Sequence, residues 1–441
     1  MAWRGRVGAD AAVRFDHPMR TTADIDGGVV EGHAGGESRP RVLVTSYSHI
    51  ASDARVLRQA EYLSRHFDVV LAGWGEPVTR YPGVQWRGLP SERTRLQQLA
   101  GLALLALGRV VPAAYQLWFR FRPGHAEARA LAIAERCDAY YANDWLTLPA
   151  MAEGAKHNGG ALVFDAHEYS PLEWESSRLW RIFYRPLVLH VLRRYASSCA
   201  ASVTVAGPIA ERYAREFGLD PMVVLNAPAI GPLPPPSPPG EAIRLIHHGS
   251  AIRERKLERM VDVLAHADGR FRLDFMLVGD PGYVAELRAY AEQRVPGRVR
   301  FVPPVAPTSI VDVLRDYDLG LFLLDTDIYN YEMAMPNKLF DFIAAGLGVC
   351  IGPSPAMREV VEAHGCGVVA AAMEPASCAA ALNALTAEDV GRMKGAARVA
   401  RECLNADIEM EKLVGLMRRV VEGTGDLGRG SPALVRQRSA S

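Results

Sequence analysis

Residues 330–355 combine side chains and a backbone pattern that suit a bound phosphate. They read as a polar loop, then a helix that begins near Lys338, and then a short buried strand. Such a loop directs backbone N–H groups, including that of Asn337, and the positive end of the helix dipole towards a ligand. Asp341 lies one turn into the helix, where its carboxylate could accept hydrogen bonds from sugar hydroxyls. The stretch therefore predicts a nucleotide-diphosphate site.

Both charged side chains of this helix also have a purely structural interpretation. An acid in the first helical turn is stabilised by the dipole, and a lysine just before a helix can simply be exposed to solvent. Lysine is rare in this chain, with five among 50 basic residues, so its place here is informative. We expect Asp341 to serve the site and Lys338 to reach a phosphate as a point charge.

Polar side chains also follow two predicted strands in the first half of the chain. His167 comes after the strand at 161–165, and Asp144 comes after the strand at 139–142. Ligands of parallel sheets bind at the carboxyl ends of the strands. We therefore interpret His167 as a site residue and Asp144 as a second candidate for the same site. Capping of the following loop, by His167 or by Glu168, is the structural alternative.

Asp53 and Arg55 open the first predicted helix and complete the candidates of this half. A side chain such as that of Asp53 can cap a helix by accepting a hydrogen bond from its first turn. Arg55 is expected to face the cleft.

Strands and helices alternate throughout, and this alternation must position the candidate residues. Strands are predicted in the first half at 41–47, 69–72, 139–142, 161–165 and 202–206, and in the second half at 244–248, 275–278, 299–301, 319–323 and 349–352. Nearly continuous apolar strands that alternate with helices indicate parallel sheets covered on both faces. Two Rossmann-like domains follow, with the ligand site in the cleft between them.

A proline-rich run separates the two halves, because proline joins neither a helix interior nor a central strand. The predicted organisation is a disordered tail at 1–40, a first domain at 41–226, a semi-rigid linker at 227–241, a second domain at 242–404, a helix at 405–422 that could pack back on the first domain, and a disordered tail at 423–441.

Composition limits the class of protein and the cellular compartment that we expect. Hydrophobic residues make up 49% and charged residues 23% of the chain, and the net charge is zero, so no overall field favours nucleic acid. Six cysteines without metal-site spacing indicate free thiols of a reducing cytoplasm. The apolar run at 99–119 contains Arg109 and Pro112, which favours two packed helices over a membrane span. Arginines across 93–122 leave a peripheral membrane contact open.

Four stretches together resemble one known family. They are 52–63 (SDARVLRQAEYL), 164–168 (FDAHE), 277–282 (LVGDPG) and 336–346 (PNKLFDFIAAG). In this order, and with the linker between them, they resemble the retaining glycosyltransferases of GT-B fold that use nucleotide-sugar donors (glycosyltransferase family 4-like, glycosyl transferases group 1). The resemblance covers roughly residues 41–420 and implies an α/β fold of two Rossmann-like domains whose parallel sheets face the cleft.

The resemblance also implies roles for individual residues. The carboxylate of Asp341 would bind the ribose hydroxyls, Arg255 would contact the diphosphate, and His167 would contact the donor sugar. These three are the candidate catalytic residues. The implied donor-binding residues are Lys338, Asn337, Gly249, Ser250, Arg253, Gly279, Asp280 and Val305. The implied acceptor side is the first domain, with Asp144, Asp53 and Arg55 as its candidate residues.

The chain departs from the family pattern at several positions. Many relatives carry a basic residue where this chain has Ser250, which Arg253 could replace, and a second glutamate where it has Met333. The first loop also lacks the glycine pair that relatives often have. Because of these departures, two alternatives to an active transferase remain. One is a catalytically weak GT-B protein that serves as a binding partner, and the other is a nucleotide-sugar epimerase. A dinucleotide oxidoreductase fits poorly, because neither half has GxGxxG after its first strand.

The reaction implied by the resemblance is transfer of a sugar from a nucleotide-diphosphate sugar to a glycan, lipid-linked or small-molecule acceptor. No nucleophile is well placed, so a front-side displacement through an oxocarbenium-like state is expected. Residues 325–327 spell Asp-Thr-Asp, the letters of a metal motif, but we interpret them as a polar loop. No cofactor, metal or nucleic acid is expected.

Overall fold

A parallel sheet flanked by helices forms each half of the chain. The computed structural model describes residues 39–77, 80–92, 94–235, 238–325 and 327–428. Residues 1–38 and 429–441, which contain most of the two predicted tails, lie outside this range. The predicted α/β class with two parallel sheets is confirmed.

Seven strands form the sheet of the first domain, and its central strands are apolar and buried, as expected for a sheet covered on both faces. The strands are β1 Arg41–His49, β2 Asp68–Trp74, β3 Val84–Leu89, β4 Ala139–Asn143, β5 Ala161–Asp165, β6 Cys199–Thr204 and β7 Pro221–Val223. Their order is β3-β2-β1-β4-β5-β6-β7, with parallel pairing throughout. The helices that connect them are α1 Ala54–Ser64, α2 Arg95–Gly108, α3 Ala113–Phe119, α4 His125–Ala134, α5 Leu148–Asn158, α6 Arg185–Tyr195 and α7 Gly207–Phe217.

Six strands form the parallel sheet of the second domain, in the order β10-β9-β8-β11-β12-β13. They are β8 Ile243–Ala251, β9 Phe271–Gly279, β10 Val299–Val302, β11 Leu319–Phe322, β12 Gly348–Ile351 and β13 Gly367–Val369. The accompanying helices are α8 Glu258–His266, α9 Pro281–Arg294, α10 Ile310–Leu314, α11 Tyr329–Glu332, α12 Asn337–Ala344, α13 Pro355–His364, α14 Pro375–Asn383, α15 Ala387–Ala400 and α16 Ala406–Gly428.

The chain crosses between the domains twice. The described residues between β7 and β8 form no helix or strand, because their prolines lack the N–H donor that either would need. The second crossing leads to α16, whose Met410, Leu413 and Met417 belong to the same buried cluster as β1. Tyr62 on α1 donates a hydrogen bond to Asp407 at 2.5 Å. The helix continues to Gly428, so the predicted start of the C-terminal tail at residue 423 is wrong for 423–428.

The apolar run at 99–119 forms two helices, α2 and α3, that turn back on each other around Pro112. Two glycines on α2 allow this close packing: a Cβ at Gly101 would meet the Trp118 ring at 3.4 Å, and one at Gly108 would overlap the ring of Tyr115. The prediction of two packed helices is correct. No helix within the described ranges has the length and apolar character needed to cross a bilayer.

Candidate functional site

Lys338 lies directly over the backbone of Gly249. Gly249 is near the carboxyl end of β8 and has a φ of 117°, in the region that favours glycine. A Cβ at this position would lie 2.5 Å from Cε and 2.6 Å from Nζ of Lys338. Lys338 Nζ also lies 5.4 Å from the ring centroid of Phe322, at the end of β11. The fold thus brings two predicted donor-side residues together from the end of β8 and the start of α12.

Asp341 and Lys338 both have pKa values shifted towards neutrality. Burial raises the pKa of Asp341 to about 7, although the positive charges of Arg58 and Lys338 act against this shift. Burial and the charge of Arg255 lower the pKa of Lys338 to about 7, and Asp341 opposes that shift. Both side chains can therefore change charge near pH 7. Perturbed groups that share a cleft are typical of functional sites.

His248 is a member of this cluster that the sequence analysis missed. Its Nε2 lies 3.5 Å from Asp341 Oδ2 and has no hydrogen-bond partner. Burial and the nearby Lys338 lower the pKa of His248 to about 3, so the ring is neutral at pH 7. The neutral ring of His248 therefore contacts Asp341 without balancing its negative charge. The sequence did contain a signal for it, because a histidine directly precedes Gly249 near the end of an apolar strand.

The turn after β8 separates the two arginines that the sequence analysis grouped. The charge of Arg255 acts on Lys338 of the second domain and on Glu168 of the first, which places it between the two faces of the cleft. Its Nε is buried and has no hydrogen-bond partner. Arg253 instead pairs with both carboxylate oxygens of Glu286 on α9, at 2.6 and 2.7 Å.

Arg253 is therefore already engaged by α9, which contradicts the expectation that it compensates for Ser250. Ser250 itself is partly exposed at the end of β8 and carries no charge. Half of the expected pair of basic residues is thus absent from this edge. Arg255 and Lys338 are the cations that the structure brings together there.

Three predicted nucleotide contacts lie at the same edge of the second sheet. Gly279, with a φ of 115°, ends β9 and pairs with Ala251 at the end of β8. Asp280 caps α9 by accepting a hydrogen bond from the Gly282 N–H at 2.9 Å. Val305 packs against the buried cluster that contains Phe340 of α12. Gly279 is thus beside the end of β8, and Asp280 and Val305 follow the carboxyl ends of β9 and β10.

The start of α12 is tied to the first domain by a chain of polar contacts. Arg58 Nη1 donates to Asn226 Oδ1 at 2.6 Å, and Asn226 Nδ2 donates to Asn337 Oδ1 at 2.6 Å. Arg58 also contributes positive charge at Asp341. The side chain of Asn337 is therefore directed at the domain interface. Arg58 and Asn226 were not singled out in the sequence, although Arg58 belongs to the resembling stretch 52–63.

Asp165 organises the opposite face of the cleft at the end of β5. It accepts hydrogen bonds from Arg55 Nε at 3.1 Å and Nη2 at 3.0 Å, from Gln59 at 2.5 Å, and from the Tyr141 hydroxyl at 3.0 Å. Burial alone would raise the pKa of Asp165, but Arg55 and these donors hold it below the ordinary value. Arg55 is 6% exposed, so the prediction that it faces the cleft is wrong. A fully buried carboxylate needs its countercharge beside it.

His167 and Asp144 occupy the carboxyl tips of neighbouring strands in strained backbone conformations. Their φ angles are 50° and 71°, unusual for residues other than glycine. The His167 N–H donates to Asp165 Oδ1 at 3.3 Å, and Thr204 donates to the His167 carbonyl at 2.7 Å. His167 Nε2 lies 3.7 Å from Asp165 Oδ2 and makes no hydrogen bond. The two predicted residues are thus held side by side.

Three carboxyl groups surround these strand tips. Burial raises the pKa of Asp144, Glu168 and Glu173, and His167 opposes the shift at the first two. For Glu173, burial and the negative charges of Asp144 and Glu168 raise the pKa to about 8. Glu173 also accepts a hydrogen bond from the Trp145 indole at 3.3 Å. It follows no predicted strand, and no sequence signal marked it.

Asp53 has a local role. Its Oδ1 accepts a hydrogen bond from the Val56 N–H at 3.1 Å, and its Oδ2 accepts one from Ser48 at 2.5 Å. This is the helix cap that the sequence predicted.

The position expected for a second carboxylate lies in an apolar contact between the domains. Tyr329, Met333 and Met335 pack against the main buried cluster of the first domain. Asn330 exchanges hydrogen bonds with the Tyr169 backbone, at 3.0 Å to its N–H and 3.2 Å to its carbonyl. A carboxylate at residue 333 would lose water without gaining a partner, so a thioether suits this position.

Residues 325–327 have the Asp-Thr-Asp sequence of a metal motif, and the first of them is engaged in ion pairs. Asp325 forms ion pairs with Lys256 at 2.6 Å and with Arg259 at 3.2 Å. Thr326 lies outside the described residues. Elsewhere in the described ranges, no three His, Cys, Asp or Glu side chains are grouped as a metal site would require.

Residues 242–388, the larger part of the second domain, match the family model described as "Glycosyl transferases group 1". This part of the second domain is therefore similar to group 1 glycosyltransferases. The matched region is about a third of the chain and contains Gly249, Arg255, Lys338 and Asp341. A search of curated protein sequences gives no match.

Solved structures resemble the chain over most of its length. Sucrose-phosphate synthase from Thermosynechococcus elongatus is similar with a TM-score of 0.66 at 14% identity, covering 87% of this chain and 100% of that one. HepE from Anabaena in complex with UDP-glucose gives 0.63 at 13% identity, with 86% and 100% covered. A trehalose-6-phosphate protein from E. coli bound with UDP-2-fluoro glucose gives 0.57 at 11% identity, with 87% and 99% covered. At these identities the likeness shows the fold, and the predicted GT-B resemblance is confirmed.

Proposed function

We propose that this protein is a retaining glycosyltransferase that moves a sugar from a nucleotide-diphosphate sugar to a glycan, lipid-linked or small-molecule acceptor. The observation that carries the proposal is the cluster at the carboxyl edge of the second sheet. There Lys338 lies over Gly249, Asp341 follows one turn later, and Arg255 faces both domains. Relatives of this fold were solved with UDP and UDP-sugars, so a uridine nucleotide is the first donor to test.

The cluster offers complementary partners for each part of such a donor. The positive end of α12, the ammonium of Lys338 and the guanidinium of Arg255 favour a diphosphate. The carboxylate of Asp341, directed into the same space, can accept hydrogen bonds from ribose hydroxyls. Gly279 and Val305 adjoin this edge, where a nucleobase would follow.

The reaction would be a front-side displacement at the anomeric carbon. The bond from this carbon to the diphosphate breaks, and the acceptor oxygen bonds to the same face of the sugar. The departing phosphate oxygen takes the acceptor's proton. Lys338 and Arg255 stabilise the negative charge that develops on the diphosphate, and His167 aligns the sugar from the opposite face. Since these cations supply the charge stabilisation, the proposal includes independence of metal ions.

The acceptor would enter on the first-domain side. Asp144, Glu168 and Glu173 offer several oxygens that can bind sugar hydroxyls there, close to His167. We also propose a cytoplasmic protein that contacts a membrane peripherally through the 93–122 region.

Purified protein should hydrolyse or transfer from one of the UDP, GDP or ADP sugars, in EDTA as well as in magnesium. Arg255→Ala should lower kcat/KM by roughly 10²–10³-fold, as expected when a charge that stabilises the transition state is removed. Asp341→Ala should lower kcat/KM through weaker donor binding, because it removes the acceptor of the ribose hydrogen bonds. Arg253→Ala is the matched control, because Arg253 pairs with Glu286 and should leave the rate unchanged. Activity that requires a divalent ion would contradict the metal-independent mechanism.

A catalytically weak GT-B protein that binds nucleotide as part of an assembly is the second candidate. Two observations favour it: Met333 packs into an apolar interface, and Ser250 leaves the edge with one cation fewer. Selective stabilisation by one nucleoside diphosphate in a thermal-shift screen, without turnover of any donor, would support this candidate and contradict the transferase.

A further inference from the structure

Solvent-exposed apolar side chains are concentrated on one face of the first domain. Of thirteen large hydrophobic side chains that the structure shows as exposed, ten lie in residues 94–120 or 174–194. They are Leu96, Leu99, Leu102, Leu107, Val110, Val111, Leu117, Trp174, Leu179 and Ile182. We name these two segments together the arginine–leucine face.

The two segments form one continuous surface. Arg109 Nη1 donates a hydrogen bond to the Ile182 carbonyl at 2.9 Å. The rings of Trp118 and Tyr184 lie 6.3 Å apart, in an edge-to-face arrangement. The exposed side chains of α2 and of residues 174–182 therefore share a neighbourhood although they are distant in sequence.

Helix α2 is apolar on both sides, which a helix of a water-soluble surface normally is not. Its buried side is a narrow stripe of Gly101, Leu105 and Gly108 against α3. The opposite side presents Leu99, 64% exposed, and Leu96, 79% exposed, with further leucines along the helix. Packing within the domain thus leaves most of the apolar surface of α2 uncovered.

The charges of this face are almost all positive. Residues 94–120 and 174–194 contain eight arginines, one glutamate (Glu175) and no aspartate or lysine, whereas the whole chain has 50 basic and 50 acidic residues. All eight arginines are exposed: Arg95, Arg109, Arg120, Arg178, Arg181, Arg185, Arg193 and Arg194. The face therefore carries a net charge of +7, and the rest of the chain carries −7.

We propose that the arginine–leucine face docks on a bilayer that contains anionic lipids. Aliphatic side chains would enter the boundary between headgroups and acyl chains, and the arginines would pair with lipid phosphates. A second copy of the chain is a poor occupant, since a two-fold contact would bring eight arginines against eight others.

The face also adjoins the cleft. Trp174 lies between Glu173, which adjoins the acidic strand tips, and Glu175, which accepts a hydrogen bond from the Tyr329 N–H of the second domain. A docked molecule would hold its acceptor side next to the bilayer. The inference rests on the proposed function in one respect, because it favours a lipid-linked acceptor among the three acceptor classes.

The test is co-sedimentation of the full chain with vesicles of phosphatidylcholine alone and with a third of phosphatidylglycerol. We expect binding to the anionic vesicles only, weakening as salt rises. Leu96→Gln with Leu99→Gln and Val110→Gln should abolish it. Arg95→Gln, Arg120→Gln and Arg181→Gln should each weaken it about fivefold, as expected for one surface charge. Val399→Gln and Arg419→Gln, on α15 and α16, are matched controls and should bind normally.

Unchanged binding by the triple glutamine variant would overturn the proposal. So would a wild-type protein that ignores vesicles but self-associates in sedimentation velocity, with the variant monomeric. Nucleotide binding, measured by thermal shift without lipid, should be equal in wild type and variants. A wild-type protein that binds nucleotide but not anionic vesicles thus refutes docking alone. A wild-type protein that binds anionic vesicles but neither binds nucleotide nor turns over a donor refutes the proposed function alone.

Discussion

Single residues at the carboxyl edge of the second sheet set the charge of the candidate site. Lys338 and Asp341 share a space from which water is largely excluded, so neither keeps its ordinary protonation behaviour. His248 remains neutral there and cannot compensate for either. Ligand binding should therefore depend on pH near neutrality, and the two residues should act in opposite directions.

Affinity for UDP-glucose should pass through a maximum near pH 7, because its diphosphate does not itself titrate in this range. The pKa of Lys338 is lowered to about 7, so its cation, and with it the affinity, is lost as pH rises above 7. The pKa of Asp341 is raised to about 7, so its carboxylate is lost as pH falls below 7. Each limb should approach about a tenfold loss per pH unit. Calorimetric titration with UDP-glucose at pH values from 5.5 to 8.5 measures this affinity.

Conservative variants separate the two limbs. Lys338→Arg keeps a positive charge throughout the range and should remove only the decline above pH 7. Asp341→Asn should remove only the decline below it. A profile of wild type that does not change between pH 5.5 and 8.5 would refute this account of both groups.

Gly249→Ala should weaken nucleotide binding roughly 10- to 150-fold while the protein stays folded. The new methyl group would lie where Lys338 now is and would push its ammonium from the diphosphate, costing one charged contact of about 1.5–3 kcal/mol. Thermal shift with UDP measures the effect. Gly365→Ala is the control, since its φ of 60° is also positive but nothing lies within 4 Å of the added methyl group. Equal binding by both variants would show that Lys338 is not the group displaced.

Secondary-structure elements place these residues, and the element order was predictable from sequence. Apolar runs such as β5 were found with their bounds unchanged, because buried parallel strands have a composition that loops lack. β3, with partly exposed alternating residues at the sheet edge, and the three-residue β7 and β13 were missed. β6 was predicted three residues too late at its start, at 202 instead of Cys199.

Side-chain partners were harder to predict than strands. Arg55 and Arg253 were both chosen as charged residues beside a predicted cleft, yet each is paired with a carboxylate brought by another element. Asp165 lies 110 residues from Arg55. His248 and Glu173 were missed for the converse reason, since only the fold places them beside Asp341 and Asp144. Sequence reveals which elements end at the cleft but not which charges are neutralised within the protein.

Arg55→Ala should destabilise the first domain by about 3–5 kcal/mol at pH 7, because it leaves Asp165 buried without its countercharge. The pKa of Asp165 is lowered in the folded protein, so the stabilisation is present above the unfolded pKa of about 3.9 and is lost as pH falls through the folded one. In the variant, burial without the countercharge raises the pKa of Asp165, so its carboxyl takes up a proton as pH falls towards 4. The loss of stability caused by Arg55→Ala should therefore be smaller at pH 4 than at pH 7. Urea unfolding of wild type and variant at both pH values measures the difference in the free energy of unfolding.

Arg65→Ala provides the comparison for Arg55→Ala. Arg65 pairs with Glu61 at 3.1 Å on the exposed side of the same helix, so its loss should cost about 0–1 kcal/mol. Similar costs for the two variants would contradict a buried, charge-compensating role for Arg55.

At the scale of the whole molecule, one of the contacts between the two domains is small and fully buried. Asn330, 1% exposed, satisfies both the N–H and the carbonyl of Tyr169. Asn330→Ala would leave these groups unpaired, at about 1–3 kcal/mol, and should favour a more open cleft. Small-angle scattering should show a larger radius of gyration.

The control for this variant keeps the same chemistry within one domain. Asn383 accepts from the Asp268 N–H at 2.8 Å and donates to the His266 carbonyl at 3.2 Å, both in the second domain. Asn383→Ala should leave the radius of gyration unchanged. An equal increase in both variants would point to general loosening and not to domain opening.

The return of α16 to the first domain has a consequence for biosynthesis. Met410, Leu413 and Met417 complete an apolar cluster whose other side is built from Val42, Val44 and Val56. A ribosome makes these two sides more than 350 residues apart, with the entire second domain in between. The first domain therefore emerges with part of its core uncovered and must wait for the last helix. Folding of the two domains cannot be strictly sequential, and the nascent chain is exposed to aggregation or chaperone capture until synthesis is almost complete.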